Sequence, residues 1–195
     1  DESGEAHFYV HEARSVTMTE ALLRRLKASN QLIQEVTALV RHHGVHPDEH
    51  WTPASYRRLL RKLDQDGLAV SAWIAFRWAD QLGKGWESTE RAPNGMPGLD
   101  WAEDIRRRNA ELEAKLEAML AEKPPLSAKD LALDGKALMA LAERKGGPWL
   151  GELQRYLLEA VLEAPEQNTE VELKELVQIW LSSKGPTDER ENEQG

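Results

Sequence analysis

Apolar residues recur at the i, i+3, i+4 spacing of a single helix face in about eight separate stretches, most opened by a capping residue. No stretch alternates apolar and polar residues between hairpin turns. The sequence therefore predicts an all-α protein: a multi-helical bundle of about eight helices in two packed subdomains, with no sheet. The first helix is expected from about Glu12 to Lys27, with Val16, Leu22, Leu23 and Leu26 on its apolar side. Ser29 or Asn30 caps a second, which runs to His43-Gly44 and forms a short-loop antiparallel hairpin with the first. Thr52-Pro53 opens a third through Leu63, and Asp66-Gly67 precedes a fourth from Leu68 to about Leu82. Asp100 with Glu103 starts the longest helix, which Pro124-Pro125 ends. Three more follow, from about Asp134 to Ala142, Pro148 to Glu163 and Thr169 to Leu181.

Glycine and proline interrupt this pattern between Gly83 and Gly98. The expected organisation is a helical region over 1–82, a flexible connection over 83–99, a C-terminal helical body over 100–181 and a disordered polar tail over 182–195. The chain opens at Asp1 without an initiator methionine, as expected of a fragment, a trimmed product or a processed one.

Composition narrows the function classes. The absence of cysteine excludes disulfides, thiolate zinc sites and a cysteine nucleophile, and suits a reducing cytoplasm. No apolar run approaches a membrane span, and no basic-then-apolar leader stands at the start. A net charge of −9 argues against a nonspecific nucleic-acid coat and leaves room for local basic stripes. No phosphate-binding Walker loop, dinucleotide fingerprint, His-Glu-x-x-His helix or nucleophile elbow is present.

Three constellations remain. All six histidines (His7, His11, His42, His43, His46 and His50) lie within the first fifty residues. A hairpin brings His11 near His42 and His43, and Asp80 can add a carboxylate, a donor set suited to a divalent metal. Alternatively Asp80 caps or pairs within a bundle, the histidines carry no chemistry, and His46 and His50 are simply solvated. The second constellation is basic: Arg57, Arg58, Arg61 and Lys62 share one helix side, and Arg106-Arg107-Arg108 form a run. Either can neutralise backbone phosphates or serve as an ordinary solvated face. In the third, Lys145-Gly146-Gly147-Pro148 precedes a helix, offering an anion seat or a tight turn in which Trp149 fills core and Gly151 permits close packing. Trp73, with Ile74 and Phe76, reads as core.

These stretches carry a resemblance. Val10-His11-Glu12, Arg41-His42-His43 and Arg77-Trp78-Ala79-Asp80 resemble motifs in the HD-type helical region of bacterial tRNA nucleotidyltransferases of the poly(A) polymerase family. Gly135-Lys136-Ala137-Leu138, Gly147-Pro148-Trp149-Leu150-Gly151, Ala160-Val161-Leu162-Glu163 and Asn168 are similar to the C-terminal segment of the same enzymes. The likeness covers about Phe8 to Trp180. Val10 stands where the family has glycine, Ala137 where it has aspartate, and the 83–98 loop looks like an extension.

The resemblance implies a C-terminal portion that binds tRNA and positions it for CCA addition at the 3′ end. The nucleotidyltransferase head, on the same polypeptide or a separate subunit, has no counterpart here, nor does the HD dyad. The full enzyme would use Mg and ATP or CTP. This chain alone would need no cofactor and would add no nucleotide, and His11, His42, His43 and Asp80 would be the remnant of an incomplete divalent-metal site. RNA recognition would give Arg57, Arg58, Arg61, Lys62, Arg106, Arg107, Arg108, Lys145, Gly146 and Gly147 a purpose. The competing classes are a metal-dependent HD-type phosphohydrolase, with His11, His43 and Asp80 on the metal, and a helical interaction module.

Overall fold

The computed structural model of the chain describes residues 11–85 and 98–184. Among these residues there are eight α-helices and no strand, so the fold is all-α, as the periodicity predicts. The helices are α1 (His11–Arg25), α2 (Asn30–Arg41), α3 (Pro53–Gln65), α4 (Val70–Gly85), α5 (Gly98–Ala121), α6 (Gly135–Leu141), α7 (Pro148–Glu163) and α8 (Glu170–Lys184). Short 3-10 turns lie at Ala128–Asp130 and Pro165–Gln167. Three cap residues act where the sequence places them. Ser29 Oγ accepts the Leu32 amide, Asp134 Oδ1 that of Ala137 and Thr169 Oγ1 that of Glu172. Each satisfies an amide that the first helical turn leaves unpaired. The boundaries differ at the proposed connection, because α4 continues through Gly85 and α5 begins at Gly98 rather than Asp100. The rest of that connection, and the tail beyond Lys184, lie outside the described residues.

Three helices end by one device. Lys27, Gly67 and Glu143 have φ values of 56°, 64° and 50°. The amide after each reaches back across the turn, from Ala28 to the Leu23 carbonyl, Leu68 to Leu63 and Arg144 to Met139, at 3.0, 2.8 and 3.2 Å. This Schellman closure places one residue in the left-handed region, where a Cβ costs about 1 kcal/mol. Gly67 avoids that cost; Lys27 and Glu143 bear it.

The chain divides into two compact units. The first comprises α1, α2, α3 from Leu59 onward, α4 and α5. Here α1 packs on α2 and α4 on α5. Leu60, Leu63, Trp73 and Leu116 are fully buried, and the Trp73 indole N–H donates to the His42 carbonyl at 3.1 Å, so that ring is core. Helix α1 departs from expectation. Val16 and Leu23 are half-buried, but Leu22 and Leu26 face solvent together with Met18. Its packing partner is α2, and a single neighbouring helix covers a single stripe of side chains.

The second unit comprises Pro53–Arg58 and the described chain from Lys123 onward. Leu153, Leu157, Leu158, Val161 and Leu162 of α7 are all buried, with Leu138 of α6 and Leu173 and Val177 of α8. Asn168 ties the turn before α8 to the segment before α6: its Oδ1 accepts the Ala132 amide and its Nδ2 donates to the Asp130 carbonyl, both at 2.9 Å. The asparagine in the resemblance thus makes the paired bonds of a backbone amide.

Candidate functional site

Helix α2 ends at Arg41, and His42 is its C-cap. The His42 ring is nearly buried, and its Nε2 lies 2.7 Å from Asp66 Oδ2, while Arg41 Nη1 donates to Asp66 Oδ1 at 2.5 Å. Burial pushes the Asp66 carboxyl up, but hydrogen bonds and charge from Arg41 and His42 outweigh it and hold the group below its ordinary range. His43 Nδ1 lies 2.6 Å from the Val40 carbonyl and must carry the proton, since a carbonyl only accepts. Asp80 is half-buried and acts electrostatically on Arg77. His46 and His50 are exposed, His46 with its Nδ1 3.1 Å from Arg77 Nη1. His7 and the His11 side chain lie outside the described residues. Among those described, no three His, Asp or Glu side chains form a group that could hold a metal ion. His42 and His43 each hold one ring nitrogen against a protein acceptor, Asp66 Oδ2 and the Val40 carbonyl.

The basic stripe of α3 divides in the same way. Arg57 Nε and Nη2 donate to the carbonyls of Leu162 and Glu163 at 2.6 and 2.8 Å. They close the C-terminus of α7, a helix with no basic residue in its own last turn. Arg58 bonds Glu159 and Glu163, both at 3.0 Å, and the Glu159 bond raises its already high pKa. Arg61 is half-buried and Lys62 exposed.

On α5, Arg107 pairs with Asp104 and Glu111, and Arg108 with Asp104. Arg106 makes no ion pair among the described residues. Lys145 is exposed, and its carbonyl accepts the Trp149 indole N–H at 2.8 Å. Arg144 lies over the same ring, 5.2 Å from its centroid. Gly147 is the cap residue of α7, with Pro148 first in the helix, and a Cβ there would come within 3.3 Å of Trp149 Cδ1. At Gly146 a Cβ would meet Met139 Sδ at 3.4 Å. The approach at Gly147 is tight for a Cβ, and that at Gly146 meets the flexible end of a methionine. Gly151 has open space beside it, so packing does not require it.

Arg77 and Asn109, neither of them among the candidate site residues, form a hydrogen-bond network in the first unit. Arg77 donates through Nη1 to the Val45 carbonyl at 2.6 Å and through Nε to Asn109 Oδ1 at 3.1 Å. Asn109 is buried, and its Nδ2 donates to Gln81 Oε1 at 2.7 Å and to the Ile105 carbonyl at 3.0 Å. Burial lowers the Arg77 pKa, against the opposing charge of Asp80. Asn109 was findable: it is the polar member of the stripe Ile105, Leu112, Leu116. Asp66 was hidden as a turn residue. Beside this network, α4 and α5 enclose a groove of about 360 Å³. Ile74, Ala75 and Ala110 line it, Trp78 forms one wall, and Arg106 and Glu113 also face it.

No helix among the described residues is long and apolar enough to cross a membrane. A family model described as "tRNA nucleotidyltransferase domain 2 putative" matches residues 8–177. No curated protein and no solved structure matches the chain. A match that runs from before α1 into α8 extends through both units and takes in every candidate site residue named above except His7, and the chain belongs to the tRNA nucleotidyltransferase domain 2 family.

Proposed function

We propose that this chain is the tRNA-holding, C-terminal portion of a cytoplasmic tRNA nucleotidyltransferase, and that it positions a tRNA while a nucleotidyltransferase head supplies the Mg and nucleotide chemistry of CCA addition. The observation that carries the reading is the family match over residues 8–177. Alone, the chain would bind RNA without extending it. Because Arg57 and Arg58 are engaged with α7, the phosphate contacts in this reading fall, within the α3 stripe, the α5 run and the turn before α7, to Lys62, Arg106 and Lys145, which are exposed and have no ion pair among the described residues.

The test is fluorescence anisotropy of the chain with a tRNA lacking its CCA end, against a tRNA-sized hairpin. Tighter binding to the tRNA is the expected result; equal affinity for both, or binding to neither, overturns the reading. A second reading, a helical interaction module, is favoured by the exposed Met18 and Leu22 of α1 and Leu26 just past its end. Concentration-dependent association in sedimentation, with no RNA affinity, would select it.

A further inference from the structure

We propose that the groove between α4 and α5 seats one unpaired nucleotide of an RNA strand, with its base on Trp78, its phosphate toward Arg106 and its amino edge toward Glu113. The proposal rests on the tRNA reading and deepens it by naming a subsite. The groove's volume of about 360 Å³ falls in the range of small-ligand sites, about 300–1,000 Å³. Trp73 and Trp78 lie on the same helix in opposite situations: Trp73 is 1% exposed and its N–H is bonded in the core, while Trp78 is 39% exposed against the groove. The small side chains of Ala75 and Ala110 leave room beside that indole for a flat ring. Stacking on an aromatic side chain is the common way to hold an unpaired base.

The charges at the groove give this slot a polarity. Arg106, Ala110 and Glu113 recur at i, i+4, i+7 on one face of α5, so the backbone positions of the cation and the carboxylate are about 10 Å apart along the axis. Asp104 takes up Arg107 and Arg108 but not Arg106, and neither Arg106 nor Glu113 has an ion pair among the described residues. A guanidinium suits a phosphate, and an ionised carboxylate only accepts hydrogen bonds. Glu113 therefore favours bases with an exocyclic amine (adenine, cytosine or guanine) over uracil, whose one edge donor, N3–H, lies between two carbonyl oxygens that repel a carboxylate. A nucleotide presents these groups in this order: anion, flat ring, donor edge.

The test compares short fluorescent oligonucleotides of A, C and U, free CMP as competitor, and the trimmed tRNA, on the wild-type chain and on Trp78→Ala, Arg106→Ala and Glu113→Gln. The expected results are tighter binding of the A and C oligomers than the U oligomer, and a loss of about tenfold or more in Trp78→Ala. Glu113→Gln should narrow the gap between C and U, and Arg106→Ala should reduce the salt slope by about one unit. CMP should displace the C oligomer only at much higher concentration; displacement at equal concentration would contradict a strand as occupant. Unchanged oligomer affinity in Trp78→Ala with tRNA binding intact overturns the groove and leaves the tRNA reading standing. Oligomer binding that needs Trp78, with no preference for tRNA over the hairpin, keeps the groove and removes that reading. If Trp78→Ala fails to fold by circular dichroism, the C-over-U preference in Glu113→Gln decides: an unchanged preference overturns the proposal.

Discussion

Helices α1 and α7 carry the same kind of amphipathic pattern and meet opposite environments. Five side chains of α7 are buried, and α6 and α8 both pack against it. No described residue of α1 is fully buried, and two of its large apolar side chains, Met18 and Leu22, face outward, as does Leu26 just past its end. The difference lies in the number of neighbours. Periodicity marks which residues of a helix belong together, while the count of elements packed around it decides how much of that face leaves water.

The sharpest way to break the comparison is truncation in each helix. Leu157→Ala removes a side chain with no exposed surface and is expected to lower unfolding free energy by about 2–5 kcal/mol in urea titrations. Leu22→Ala, at a position 46% exposed, should change it by no more than about 0.5 kcal/mol. Equal losses would mean that α1 is covered after all.

Smaller effects separate the ties that hold each helix. Arg57→Ala frees two carbonyls at the C-terminus of α7 and should cost about 1–2 kcal/mol, with little recovery in Arg57→Lys, which cannot reproduce the two-pronged donation. Asp66→Asn tests the tie at the end of α2. The folded pKa of Asp66 lies below its ordinary value of 3.8, so the carboxylate contributes stability that is present above that value and lost as pH falls through the depressed folded value. Asp66→Asn should therefore lower Tm at pH 7, and its gap to the wild type should close below about pH 4. A gap that persists in acid would contradict this account.

The smallest effects concern the Schellman turns. Glu143→Gly and Lys27→Gly should each raise stability by up to about 1 kcal/mol, and Gly67→Ala should lower it by a similar amount. Thermal melts of the three variants check the signs.

Local physics made much of this fold legible. Ser29, Asp134, Pro148 and Thr169 act within one turn of themselves, and each marks its helix start as the sequence suggests. The extent of α4 and α5 was less legible, because Gly83 lies inside α4 while Gly85 and Gly98 are the terminal residues of α4 and α5, and glycines read as helix breakers. Tertiary partners were beyond reach. Arg57 and Arg58 form a basic stripe in one dimension, but their acceptors lie more than a hundred residues away on α7. His42 draws attention as a ligand type, yet its partner Asp66 reads as a turn residue. Trp78 and Glu113 become one groove only when α4 and α5 meet.

In the proposed function the cations divide: Arg57 and Arg58 are tied to α7, and Lys62, Arg106 and Lys145 are the proposed contacts to tRNA phosphates. The most direct measurement is the salt dependence of binding to trimmed tRNA for the wild type, the Lys62/Arg106/Lys145 triple alanine variant and Arg57→Ala, all below their melting temperatures. The account predicts that the slope of log affinity against log salt falls by about three units in the triple variant and is unchanged in Arg57→Ala. A slope unchanged in the triple variant, or reduced as much by Arg57→Ala, would contradict it.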